Sequence, residues 1–399
     1  MPARSLVRFV LGGIAALVAG GLVLALELWT VLPAPTLPTL ALAVAVPEAT
    51  PWGIAACLAA GAIAQWAASG WARTVGLFCA AAELGLALVH WCLLPGTIAA
   101  SEREMRAGLG TAYSAQRSDP APTTLGRPYD VRTAVAGYAT SGIVRVRTNL
   151  PVPTRDGRRL GLDLYEPPAA GPHPAVIVIY GGAWIFGNRG QSAEVARSFA
   201  RLGYTAIAID YRHAPVYRFP TQLDDVRDAL RAIGANAPAW NVDPRRVAMF
   251  GRSAGAELAL LAAYEPGPLT IRAAIGYYAP VDLTGGYRVP PQPDPADVRR
   301  ILRAYLGGPP EMFASAYTAG SPLDQIRPGL PPTLLIGGGR DELVRLAFAH
   351  ELRDALRLHG DRVSAIDVPW SNHAFDSIPN GTGGQLARYY TERFLSATL

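Results

Sequence analysis

The chain has 399 residues and a formal charge of +5, and half of its residues are hydrophobic. Every basic residue is an arginine, and the arginines are interspersed with acids, as in Asp224-Asp225-Val226-Arg227-Asp228. No basic stripe of the kind that binds nucleic acid is present. The three cysteines, Cys57, Cys79 and Cys92, all lie in apolar stretches and offer neither a disulfide framework nor a zinc spacing.

The apolar excess sits in the first hundred residues. A helix needs about 20 apolar residues to cross the hydrocarbon core of a bilayer. Residues 6–32, broken only by Arg8 and Glu27, meet that length; 52–68 is a shorter, uncharged candidate, and 75–94 a third, closing at Pro95-Gly96. Residues 37–46 are apolar but too short to cross, and with Pro33, Pro35, Pro38 and Pro47 around them they read as an interfacial loop. The many glycines and alanines favour close helix packing in lipid. Glu83 and His90 fall at membrane depth and are expected to face neighbouring helices or the interface.

Arg4 and Arg8 precede the first span, Arg73 joins the second to the third, and 33–51 holds no basic residue. That bias places the N-terminus in the cytoplasm and everything after residue 96 on the outer side, although Arg103 and Arg106 pull the other way. The expected organisation is a transmembrane region over 1–96, a connector over 97–141 that includes Pro120, Pro122 and Pro128, and a catalytic domain over 142–399.

From Gly142 onward, strands and helices alternate. Residues 143–148 and 160–165 read as two strands around the turn Arg155-Asp156-Gly157. Short, almost wholly apolar runs follow at 175–180, 205–209, 246–250, 273–278, 333–336 and 363–368. Such runs, separated by helical patterns at 192–202, 223–233, 254–264 and 343–358, indicate a mostly parallel sheet covered on both faces. The Pro- and Gly-rich segment 283–323, with a helix near 296–306, is expected to be an insertion forming part of a lid.

Gly251-Arg252-Ser253-Ala254-Gly255 falls where a strand meets a helix and fits Gly-x-Ser-x-Gly, the nucleophile elbow, whose tight turn tolerates only small residues beside the serine. A serine hydroxyl needs a base to take its proton and a third group to orient that base. Asp341, after the run 333–336 and its glycines, is the expected acid; Glu342 is the neighbouring alternative and Asp282 a weaker one. His373, after the last strand, is the expected base. Gly181, Gly182, Ala183 and Ala254 are expected to form the oxyanion hole, with the amides of Gly182, Ala183 and Ala254 donating to it. Tyr180, Trp184, Phe186 and Tyr211 are candidate pocket residues.

The motifs Tyr-Gly-Gly-Ala-Trp at 180–184, Asp210-Tyr211-Arg212 with Ala214-Pro215, Phe219-Pro220 with Asp224-Asp225, Asn241-Val242-Asp243-Pro244-Arg245-Arg246-Val247, Gly-Arg-Ser-Ala-Gly at 251–255 and His373-Ala374-Phe375 carry a resemblance. Over roughly 140–395 the chain resembles the α/β-hydrolase-fold carboxylesterases of the hormone-sensitive-lipase-like branch and related feruloyl-esterase-like hydrolases. It departs from them at Tyr180, where the oxyanion segment usually starts with His, and at Ala183, where it usually has Gly. Plant prenylcysteine methylesterases look similar in having Gly-Gly-Ala-Trp and N-terminal spans.

The expectation is therefore an α/β-hydrolase fold with a lid insertion, preceded by an all-α transmembrane region of about three helices. The function expected is a multi-pass, membrane-anchored serine esterase without cofactor or metal, acting on a small-molecule or lipid ester, with its catalytic domain outside the cytoplasm. An amidase or transacylase using the same triad, and an inactive scaffold on a hydrolase fold, are the alternatives.

Overall fold

The computed structural model describes residues 3–115, 124–138 and 142–399; parts of the expected connector, including Pro120 and Pro122, lie outside the described residues. The chain begins with four helices, α1 (Ala3–Glu27), α2 (Leu37–Glu48), α3 (Thr50–Ala67) and α4 (Gly70–Leu109). Val10–Thr30 and Gly70–Leu109 are each long and apolar enough to cross a membrane; α2 and α3 pass that test together but are bent by 87° at their junction. Small residues let α1, α3 and α4 approach closely. Ala16, Ala64, Ala68 and Ala72 are buried among them, and a Cβ on Gly12 would fall 1.8 Å from the carbonyl oxygen of Ala67.

Two expectations need correcting here. Residues 37–46 are not a loop but most of α2. Thr36 caps this helix reciprocally with Thr39, and a proline stands at its start, where the missing N–H costs nothing. Nor does the third apolar segment stop at Pro95-Gly96. The helix α4 runs on to Leu109, because Leu94, Thr97, Ser101, Met105 and Gly108 bury one stripe at helical spacing. That stripe packs on the last strand of the sheet, where Ser364 Oγ donates to the Glu104 carbonyl at 3.1 Å. Tertiary packing overrides the proline's local cost. Glu83 and His90 are buried within the bundle, and His90 lies 3.4 Å from Thr50 Oγ1.

Two short helices, α5 (Thr111–Ala115) and α6 (Val131–Ala136), precede the sheet. Its strands are β1 (Arg145–Pro153), β2 (Arg159–Glu166), β3 (His173–Ile179), β4 (Thr205–Ile209), β5 (Val242–Arg252), β6 (Ile271–Tyr277), β7 (Thr333–Gly338) and β8 (Val363–Val368). They form one sheet in the order β1-β2-β4-β3-β5-β6-β7-β8. β2 pairs antiparallel with both its neighbours, and β4 through β8 are parallel. The interior strands are buried on both faces, as their unbroken apolar runs require.

The connecting helices are α7 (Ala193–Arg201), α8 (Thr221–Ala235) and α9 (Ala254–Ala263), then α10 (Leu283–Arg288), α11 (Val298–Leu306) and α12 (Pro310–Gly320) between β6 and β7, and finally α13 (Leu346–Leu358) and α14 (Thr382–Thr398). Two large apolar clusters cover the two faces of the sheet, one built on Ile177, Met249 and α9, the other on Val178, Phe250 and α14.

The helical region is bonded to this domain through charged groups at helix ends. Glu48, at the end of α2, accepts from Ser371 Oγ at 2.5 Å and from the Gly383 and Gly384 amides at 2.7 and 3.3 Å. Those amides belong to the first turn of α14, where unpaired N–H groups and the helix dipole favour an anion.

Candidate active site

The strand β5 delivers Ser253 to the tip of the sheet, and α9 starts at the next residue. Ser253 has φ 51°, a left-handed conformation that strains a residue with a Cβ and marks a functional turn. Its neighbours must be small. A Cβ on Gly251 would meet the Gly255 carbonyl oxygen at 2.1 Å, and one on Gly255 would meet the Ile179 and Tyr180 carbonyls at 2.4 and 2.3 Å.

The loops after β7 and β8 bring two more side chains to this turn. Ser253 Oγ lies 2.9 Å from His373 Nε2, and His373 Nδ1 lies 2.8 Å from Asp341 Oδ2. The other carboxylate oxygen, Asp341 Oδ1, accepts from the amides of Leu343 and Val344 at 2.8 and 2.7 Å, so Oδ2 is aimed at the imidazole. Of the three expected acids, Asp341 alone reaches His373. Glu342 turns away to Asn372 (3.2 Å) and Ala34 N (2.9 Å), and Asp282 caps α10 by accepting from Gly285 N. His213 and His350 have other partners, Tyr180 OH and Asp367.

The loop after β3 faces the serine. Ala183 and Trp184 are successive non-glycine residues with positive φ, 51° and 59°, a turn closed by Ile185 N donating to the Gly182 carbonyl at 2.9 Å. Together with Ala254, whose N–H is among the unpaired amides at the start of α9, Gly182 and Ala183 border the serine. Strained backbone of this kind persists only where its surroundings hold it. Here Tyr180 and Tyr211 stack at 4.4 Å and each hydroxyl donates to the other residue's carbonyl at 3.2 Å. Tyr180 thus ties the loop to β4. On the other side, Trp184 stacks on Tyr305 of α11 at 4.1 Å, and both donate to the buried Glu257, the indole at 3.0 Å and the hydroxyl at 3.1 Å. Burial holds the Glu257 carboxyl well above the usual carboxylate range.

A cavity of about 970 Å³ opens over Ser253 and His373, with Gly181, Gly182, Ala183 and Tyr180 in its wall and Phe186 at its rim. A smaller apolar space of about 70 Å³ continues on the far side of the serine, between Trp184, Leu302, Val344 and Phe348. Of the four candidate pocket residues, Tyr211 is corrected: it lines neither space and is buried behind Tyr180, where its ring and hydroxyl serve packing.

Sequence reasoning missed several residues that support the site. Asp376 pairs with Arg252 of the elbow at 2.5 Å and accepts from Tyr278 OH, whose ring lies 4.5 Å from that of His373. The Asn372 carbonyl oxygen of the side chain accepts from His373 N at 2.7 Å. Glu257 left one signal, a lone acid inside the otherwise apolar helix 254–263.

Residues 162–356 match the BD-FAE family model. LipM of Mycobacterium tuberculosis, a probable carboxylic ester hydrolase, is 30% identical over 256 residues, 60% of this chain and 58% of its own. A probable isoprenylcysteine alpha-carbonyl methylesterase of Oryza sativa subsp. japonica is 34% identical, over 28% of this chain and 27% of its own. Among solved structures, esterase LipW from Mycobacterium marinum aligns with a TM-score of 0.52 at 26% identity, covering 74% of this chain and 90% of that one. The chain spans little more than half the length of the curated relatives it matches first. With the sheet order and the motif order in agreement, the chain carries an α/β-hydrolase-fold domain that is similar to those of hormone-sensitive-lipase-like and feruloyl-esterase-like carboxylesterases, preceded by helices apolar enough to span a membrane.

Proposed function

We propose that this protein is a membrane-anchored serine carboxylesterase that cleaves esters through an acyl-enzyme. The observation that carries the reading is the line Ser253 Oγ, His373, Asp341, with contacts of 2.9 and 2.8 Å at the tip of a strained strand–helix turn. His373 Nε2 takes the Ser253 proton as Oγ attacks the ester carbonyl, and Asp341 holds the imidazole and balances the imidazolium that forms. The amides of Gly182, Ala183 and Ala254 receive the oxyanion, often the largest single contribution to such catalysis. His373 then protonates the departing alkoxide. Water, activated by the same imidazole, frees the acyl group.

The anchor is three crossings, with the 18-residue α3 as the second and α2 lying across the bundle end that meets the sheet. Three features support an N-terminus in the cytoplasm and a catalytic domain outside it. Gly12 of α1 packs at Ala67, which puts the junction of α3 and α4, with Arg73, at the bundle end where α1 starts, and Arg4 and Arg8 precede the first span in the sequence. At that same end Trp66 and Trp71 are 88% and 72% exposed, as aromatic side chains at a bilayer interface are. The opposite end is bonded to the catalytic domain through Glu48.

The test is labelling of detergent-extracted full-length protein with a fluorophosphonate, beside a Ser253→Ala variant, followed by turnover of p-nitrophenyl esters. Labelling that disappears in the variant, with ester turnover in the wild type, is the expected result. Folded wild type that neither labels nor turns over esters would end the proposal and favour a binding role for the fold.

A further inference from the structure

Residues 28–37, which link α1 to α2, run along the candidate active site. Arg340, next to Asp341, reaches back to this segment. Its guanidinium donates to the carbonyls of Trp29 (3.2 Å), Thr30 and Leu32 (2.9 Å). Those carbonyls end α1 and the single turn after it, where unpaired acceptors and the helix dipole favour a cation. On the other side of Asp341, Glu342 accepts from Ala34 N at 2.9 Å. The same carboxylate holds Asn372 Nδ2 at 3.2 Å, and Asn372 Oδ1 accepts from the amides of Glu342 (3.2 Å) and His373 (2.7 Å). A continuous path of hydrogen bonds thus runs from the helical region to the loops that carry the acid and the base.

The segment also shapes the cavity. Ala34, Leu40, Ala43 and Val44 form an apolar cluster against Trp29 and Leu343. Leu37 stands in the wall of the large cavity with Leu343, Ser253 and His373, and it remains 57% exposed. The 87° bend after α2 lays this helix across the end of the bundle that meets the catalytic domain. The mouth of the cavity is therefore bordered by a helix lying at the edge of the apolar bundle. A cavity of about 970 Å³ is at the upper end of small-molecule sites.

We propose that residues 28–37 are a working strap of the active site: they fix the Asp341 and His373 loops through Arg340 and Glu342, and through Leu37 they supply the wall along which the apolar chain of a bilayer-borne ester reaches Ser253. This rests on the esterase reading above. Arg340 is a positioning residue that touches no reacting atom. The substrate class is an ester with a long apolar chain held in the bilayer, drawn in beside α2.

The test uses the full chain in lipid vesicles, an ester series of increasing acyl length, and the rate of fluorophosphonate labelling. Leu37→Asp places a charge on the proposed wall, so the ratio of long-chain to short-chain kcat/KM should fall at least about tenfold, the size of discrimination a few methylenes give in an apolar pocket. Arg340→Gln should slow labelling and lower kcat at every chain length with KM little changed, and Arg340→Lys, which keeps the charge at the carbonyls, should restore part of the rate. Equal losses at all chain lengths in Leu37→Asp would overturn the wall. Wild-type labelling and kcat in an Arg340→Gln protein of unchanged melting temperature would overturn the positioning role. A wild type that does not label at all would instead strike the esterase reading, so the two failures are told apart.

Discussion

The helical region and the hydrolase-fold domain are packed inside out with respect to one another. In α1, α3 and α4 the residues turned outward are Val10, Leu11, Ile14, Val18, Leu22 and Phe78, and those turned inward include Ala16, Ala64 and Ala72. In the hydrolase-fold domain the large apolar side chains are inside, with Phe199, Phe250, Phe375 and Phe394 nearly inaccessible. Both arrangements follow one rule applied to two surroundings. Water drives large apolar groups together. Lipid does not, so helices in it associate by close approach of small residues. The contrast supports the bilayer setting proposed for the helical region without any reference to hydropathy.

Perturbing the two regions sharpens the contrast. The largest effect belongs to the site: Ser253→Ala or His373→Ala should lower ester turnover about a millionfold while leaving the protein's melting temperature and membrane association as in the wild type. Turnover surviving in either variant would dissociate these side chains from the reaction. Next come the two packing regimes, measured as unfolding free energies in detergent. Phe250 is buried between Phe199 and Tyr277 at ring distances of 5.5 and 5.0 Å, so Phe250→Ala should cost about 3–5 kcal/mol. In the helical region the order reverses. Ala16→Leu, adding bulk where Gly76 and Ala64 meet, should cost about 1–3 kcal/mol, and Val18→Ala on the outer face less than about 0.5 kcal/mol. If Val18→Ala proved more damaging than Ala16→Leu, the outer face would be a protein contact and not a lipid one.

The same contrast explains what could be read in the sequence. The parallel sheet was legible because its strands are unbroken apolar runs bounded by glycine turns, and 205–209 and 363–368 are strands to the residue. The site was legible because the elbow, Asp341 and His373 each follow a strand, and a parallel sheet brings such loops to one edge. The boundaries that failed share a cause. Pro95 and the prolines around 37–46 are local signals of termination, but α4 and α2 are held by long-range contacts, Glu104 with β8 and Glu48 with α14. Asn372 and Arg340 were invisible for the same reason, and Glu257 showed only as an isolated acid in an apolar helix. Their partners are 30 to 311 residues away in the chain, and no spacing rule reaches that far.

The subtlest difference expected is between the wild type and Glu257→Gln, and its change with pH separates a neutral carboxyl from a charged one. Its carboxyl is buried, bonded to Trp184 and Tyr305, and burial pushes its pKa well above that of an exposed glutamate, which is near 4.3. A group that binds its proton more tightly when folded contributes stability in full below its unfolded pKa and loses it as pH rises through the folded value. The wild type should therefore lose stability as pH climbs upward from about 4.3. Glu257→Gln keeps the shape of the neutral acid, with an oxygen to accept from the indole and an amide to donate to the Tyr305 hydroxyl. It should match the wild type at low pH and show a flatter profile above it. Glu257→Ala, which leaves two buried donors unpaired, should cost about 1–3 kcal/mol at every pH and loosen the loop that carries Ala183. Denaturation midpoints of the three proteins over a pH series decide this, since all other titrating groups are common to them. Parallel profiles for the wild type and Glu257→Gln would mean that the carboxyl is not protonated between Trp184 and Tyr305, and that the loop carrying Ala183 is held by a charge.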